Sequence, residues 1–164
     1  KKRAILDVIT LAGLYAARVV AGAALVAVSL SRWFLAFSVF FFLSLALVKR
    51  VVELGRHSPR DRARVPGRGY FPGDRPVLTS LGTTATMASA LVYCLYITGD
   101  DVLALYGRPD LLWLGLPILL YWQARMWLLA GRDVLQEDPV VFALKDRMSR
   151  LLGGLLLLVV WIAA

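Results

Sequence analysis

The sequence predicts an all-α fold, a polytopic transmembrane helical bundle, and three observations carry that prediction. Of its 164 residues 59% are hydrophobic, where a soluble domain has roughly 45–50%. The mean hydropathy is +0.69. Five apolar runs are separated by charged connections, and the basic residues gather in alternate connections. The net charge of +8 therefore reads as membrane sidedness and not as a nucleic-acid-binding face. The bilayer is an expected partner; nucleic acid is not.

The runs follow in order. The first extends from Ile5 to Leu30, the second from Trp33 to Leu54 and the third from Val77 to Thr98. A fourth covers Leu111 to Ala130, and a fifth starts at Pro139 and reaches the end of the chain. About 20 apolar residues in a helix span the roughly 30 Å hydrocarbon core. The last stretch, LLGGLLLLVVWIAA, is short of that, so the helix is predicted to begin at Pro139 with its charged first turns in the interface. Asp138 is suited to cap it and Pro139 to occupy its first position. Gly22 and the pair Gly153–Gly154 are expected to mark close helix packing.

The connections set the orientation. Lys49 to Arg75 holds eight basic and three acidic residues, which places it on the cytoplasmic side. Gly99 to Asp110 has three aspartates against Arg108 and faces outward. Gly131 to Arg150 is balanced and returns inside by alternation, as do Lys1, Lys2 and Arg3. Inner-membrane insertion with a cytoplasmic active side follows. The Arg/Pro/Gly-rich stretch 55–76 reads as an irregular loop within one transmembrane domain, 1–164, suited to anionic lipid or a phosphorylated substrate.

The charges near the spans are the candidate chemistry. Lys49, Arg50 and Glu53 fall within one helical turn at the end of the second run. They are placed either to hold a phosphorylated substrate or only to stop the helix at the headgroups. Arg18 lies near the middle of the first run, where an arginine calls for a polar cavity or a carboxylate on another helix. Asp7, three turns earlier on nearly the same face, reaches the cytoplasmic mouth of such a cavity or is simply interfacial. Arg125 sits a turn and a half before the end of the fourth run, among Tyr121, Trp122 and Trp127. Asp138 and Asp146 offer oxygens suited to magnesium, although Asp146 between Lys145 and Arg147 also fits a balanced surface turn. Cys94 and His57 are each alone, which leaves no disulfide framework or cysteine metal cluster. All these charges lie in the inner half, which favours one cavity open to the cytoplasm over a channel.

Several stretches carry a family resemblance. LDVITLAGLYAARVVAGAA looks like the fifth transmembrane helix of the UbiA superfamily of membrane prenyltransferases, and FFFLSLALVKRVVEL looks like the sixth. GRGYFPGD, LYGRPDLLWLGLPILLYWQARMWLLA and EDPVVFALKDRMSRL resemble the later loops and helices. KRVVEL and DPVVFALKDR are similar to the branch of decaprenyl-phosphate phosphoribosyltransferases. The resemblance covers the whole chain and implies helices five to nine of a nine-helix UbiA-like bundle, the C-terminal part of a longer domain. This part alone is then expected to be inactive.

Typical members of the superfamily hold a lipid phosphate or diphosphate at the cytoplasmic side through magnesium and two aspartate-rich motifs. The resemblance places the first motif upstream of residue 1; at the DxxxD position of the second this chain has Lys49, Arg50 and Glu53. That departure favours phosphoribosyl transfer from phosphoribosyl diphosphate to a polyprenyl phosphate, with diphosphate released. Prenyl transfer to an aromatic or lipid acceptor and a non-catalytic scaffold are the alternatives. The resemblance implies Lys49, Arg50 and Glu53 as catalytic residues. Arg18, Arg125, Tyr70 of GRGYFPGD and Lys1, at the end of a YxxxK-like position, would bind substrate or phosphate. Mg2+ would be held by Glu53, Asp138 and Asp146.

Overall fold

The computed structural model describes residues 4–26, 30–57, 69–135 and 138–164. Among them the chain is all-helical, without a strand. Helix α1 is Leu6–Leu25 and α2 is Arg32–Gly55; a 3-10 turn, Pro72–Asp74, leads into α3, Arg75–Ile97. A short α4, Asp100–Leu105, and a 3-10 segment, Pro109–Leu114, connect to α5, Gly115–Gly131. Helices α6, Pro139–Lys145, and α7, Arg147–Ala163, complete the chain. Three helices, Leu6–Leu25, Arg32–Gly55 and Pro72–Ile97, are long and apolar enough to cross a membrane.

The expected fifth helix is broken in two. Asp138 caps α6 as anticipated, accepting from the Val140 amide, and Pro139 opens it. Asp146 then takes an extended backbone, φ −71° and ψ 125°, and caps a new helix by accepting from the Ser149 amide. Aspartate prefers such a cap to a helix interior because its short carboxylate satisfies an orphan amide. Helix α7 keeps 17 residues, about 25 Å at the α-helical rise.

Helix α2 is the hub, packing on α1, α3, α5 and α6. Its second half is buried nearly all round, from Ser44 through Val48 and again at Arg50 to Val52. By contrast α1 buries one stripe, Val8, Ala12 and Ala16, spaced by four so that they share a face. The core lies where α2, α3 and α5 meet, and it is partly polar. Ser44 of α2 and Thr86 of α3 share a hydrogen bond of 2.8 Å, and the Trp127 indole N–H of α5 donates to both. Gln123 donates to Ser89 one turn away. Small hydroxyl residues let apolar helices approach while satisfying each other's polar atoms.

Close packing falls on other glycines than the sequence indicated. A Cβ at Gly82 would lie 2.1 Å from the Trp127 ring, and one at Gly115 would lie 2.4 Å from the Tyr93 hydroxyl. Gly22, Gly153 and Gly154 have no atom within 4 Å of that position. Their helices turn these residues away from the rest of the described chain.

Candidate functional site at the C-terminal end of α2

The end of α2 carries two cations side by side, and the fold sends them to different places. Consecutive helical residues point about 100° apart. Arg50 turns inward and is 3% exposed. One terminal nitrogen lies 2.7 Å from the Asp7 carboxylate of α1, and the other pairs with Glu53 one turn on. Tyr70 stacks its ring against the guanidinium at 5.7 Å and donates its hydroxyl to Asp7 at 2.6 Å. The Ile5 amide donates to that hydroxyl at 2.7 Å, from a residue with a left-handed φ of 68°. A β-branched residue seldom adopts that backbone, so the contact that holds it is substantial. Burial, then the hydrogen bond to Asp7, pushes the Tyr70 hydroxyl up to about 12; the phenol stays protonated as a donor.

Lys49 turns outward and stays open, with 35% of its side chain exposed. Its ammonium lies 2.5 Å from Asp138, which also caps α6. Beside this pair an apolar groove runs between α1 and α2, floored by Leu11, Tyr15, Phe42, Leu45 and Ala46 and reaching Val140 of α6. Tyr15 and Phe42 stack across it at 5.2 Å. Lys49 is the last of the α2 residues lining the groove, so the charged pair marks its α2 C-terminal end. A cation at one end of an apolar groove matches a molecule with an anionic head and a hydrocarbon tail.

The remaining charges gather elsewhere. Arg125 makes a two-point ion pair with Asp146, at 2.7 and 3.1 Å. Asp146 also accepts from the amide and hydroxyl of Ser149, whose oxygen receives the Trp122 indole N–H. Burial raises the Asp146 carboxyl, but the Arg125 and Ser149 hydrogen bonds outweigh it and hold the group below its ordinary value. Arg18 lies on an exposed face of α1 with its guanidinium 5.2 Å from the Tyr15 ring. No carboxylate partner for it is found among the described residues. His57 sits beside the Glu53 carbonyl. Lys1 and the central part of the basic loop, 58–68, lie outside the described residues.

The structure thus joins pairs that the sequence left separate. Asp7 meets Arg50 and Tyr70, Lys49 meets Asp138, and Arg125 meets Asp146. Glu53 pairs with Arg50 within one turn of α2. Glu53, Asp138 and Asp146 are each paired with a cation, and among the described residues no group of three His, Cys, Asp or Glu side chains suited to a metal ion forms. What the sequence reading underweighted was Asp7, whose signal was its place at the foot of a span opposite the charged end of another.

Two curated proteins are similar to the chain along most of its length. It is 38% identical over 157 residues to the uncharacterized protein y4nM of Sinorhizobium fredii, covering 95% of this chain and 30% of that protein. It is 29% identical over 146 residues to the nodulation protein NoeC of Azorhizobium caulinodans, covering 88% of this chain and 47% of that protein. No family model and no solved structure matches. The chain therefore spans less than half the length of these two relatives.

Proposed function

We propose that the chain is part of a UbiA-type membrane transferase that moves a phosphoribosyl group from phosphoribosyl diphosphate onto a polyprenyl phosphate. The observation that carries this reading is the open Lys49 at the end of the apolar groove between α1 and α2. In the proposed reaction a phosphate oxygen of the lipid attacks the anomeric carbon of the ribose. The carbon–oxygen bond to diphosphate breaks, and diphosphate leaves with the electron pair. Lys49 stabilises the anionic head group, since a fixed cation in a partly dry site acts on charge without reorganising. Arg50 is a positioning residue, locked by Asp7 and Glu53 so that the α2 end keeps one geometry. Magnesium enters this reading as the counter-ion of the diphosphate substrate. The helices cross the inner membrane in several passes with the α2 end cytoplasmic, an orientation supported by the basic loop that follows it.

The test uses the protein expressed from its whole gene, in membranes supplied with farnesyl phosphate and radiolabelled phosphoribosyl diphosphate. Lipid-linked label is expected with the wild type and is lost in Lys49→Ala at normal membrane yield. A wild-type protein that forms no labelled lipid sinks the reading. A second reading, a membrane scaffold that uses the fold without chemistry, is favoured by the burial of Arg50 in a closed ion-pair knot. It predicts that Lys49→Ala leaves the cellular phenotype unchanged. The nodulation protein NoeC is named for a process, which does not decide between the two.

A further inference from the structure

Lys49 and Asp138 make a contact whose position is as informative as its chemistry. They come from different elements, α2 and the start of α6, and both line the apolar groove. Neither is deeply buried, at 35% and 28% side-chain exposure. An ion pair this exposed adds little to stability, about 0–1 kcal/mol, so replacing one partner by another anion costs little. Arg50, one residue away, is the opposite case, held by two carboxylates in the interior.

We infer that Asp138 is a built-in competitor for Lys49, and that a phosphate monoester on a single hydrocarbon chain opens the pair by taking the lysine. The occupant is argued from charge complementarity and lining: a partly exposed cation held by one exchangeable carboxylate, and beside it the apolar and aromatic floor of Leu11, Tyr15, Phe42 and Ala46. The tail lies along this floor and the phosphate replaces the Asp138 carboxylate at Lys49. Asp138 is then repelled by the incoming dianion, and that repulsion is what a correct head group must overcome. The pair thereby disfavours uncharged lipids, which fit the groove and leave the ion pair closed. The inference shares with the proposed function the assumption that a lipid phosphate is the ligand, but it concerns binding and not transfer.

The two alternatives for Asp138 differ in sign. A competitor raises the dissociation constant; a metal ligand lowers it. Binding of farnesyl phosphate is measured on the detergent-solubilised protein expressed from its whole gene, with EDTA and with Mg2+. Asp138→Asn keeps the cap on α6 and removes the charge. It is expected to tighten binding by about twofold to fivefold in EDTA, the range that loss of one partly exposed charge contact supports. Lys49→Met is expected to weaken it tenfold or more, and Lys49→Arg to restore most of it. The double variant Asp138→Asn, Lys49→Met, which leaves no unpaired charge, checks that the loss is one of binding and not of folding. Unchanged or weaker binding in Asp138→Asn overturns the inference, and weakening seen only with Mg2+ assigns Asp138 to a metal. Equal affinity for inorganic phosphate overturns the lipid as occupant. Tight binding without group transfer leaves the inference standing and sinks the transferase; transfer with weaker binding in Asp138→Asn does the reverse.

Discussion

Lys49 and Arg50 are neighbours in the chain, yet one residue of helical rotation gives them opposite roles. Arg50 enters the interior, where its charge persists because Asp7 and Glu53 neutralise it and Tyr70 covers its face. Lys49 stays at a groove edge with a single carboxylate that solvent and ligands can reach. A buried ion needs partners to exist there at all, whereas an exposed one keeps the freedom to exchange them. The comparison teaches that a run of like charges at a helix end is not one functional unit: the inward member builds the site and the outward member meets whatever binds.

The sharpest way to break the comparison is to remove the inward cation. Arg50→Leu strands Asp7 and Glu53 and is expected to cost about 3–5 kcal/mol, read as a large fall in thermal stability in detergent and in membrane yield. Adding Asp7→Asn to that variant should recover part of the loss, and an absence of coupling in this double-mutant cycle would refute the knot. Gly82→Ala comes next. Its methyl would sit where the Trp127 ring lies, and overpacking of this kind costs about 1–3 kcal/mol. Trp127→Phe keeps the ring volume close and removes the N–H shared by Ser44 and Thr86, with an expected loss of about 1 kcal/mol. Lys49→Met closes the series. It is expected to change stability by no more than about 1 kcal/mol while abolishing transfer in the labelled assay. A stability loss equal to that of Arg50→Leu would erase the distinction between the two cations.

The same contrast governs what was legible beforehand. The run from Trp33 to Leu54 predicted α2 almost to the residue, because its long uncharged stretch, Trp33 to Val48, can satisfy its own backbone in lipid as a helix. Asp138–Pro139 likewise announced the start of α6. The break at Asp146 falls where the charged neighbours Lys145 and Arg147 left a surface turn open as a reading beside one continuous helix, and the carboxylate's hold on the Ser149 amide and the Arg125 side chain decides for the turn. Arg18 called for a polar cavity or a carboxylate on another helix, and among the described residues it rests on Tyr15, in its own helix. Asp7 meets a cation because α1 packs its Val8 and Ala12 face on α2, which puts Asp7 beside Arg50 and leaves Arg18 turned out.

The sequence by itself determined the all-helical class, three of the five expected spans as helices long and apolar enough to cross a membrane, and the concentration of charge at one end of the second, because hydropathy and helical periodicity are local and act wherever a segment meets a bilayer. Tertiary structure alone decided which distant charges meet, whereas Arg50 and Glu53 share a helical turn. Asp7 and Arg50 are 43 positions apart, and Lys49 and Asp138 are 89 apart. Pairing over such distances depends on the rotation of each helix about its axis, which the packing of α1, α3, α5 and α6 around α2 sets and no single segment encodes.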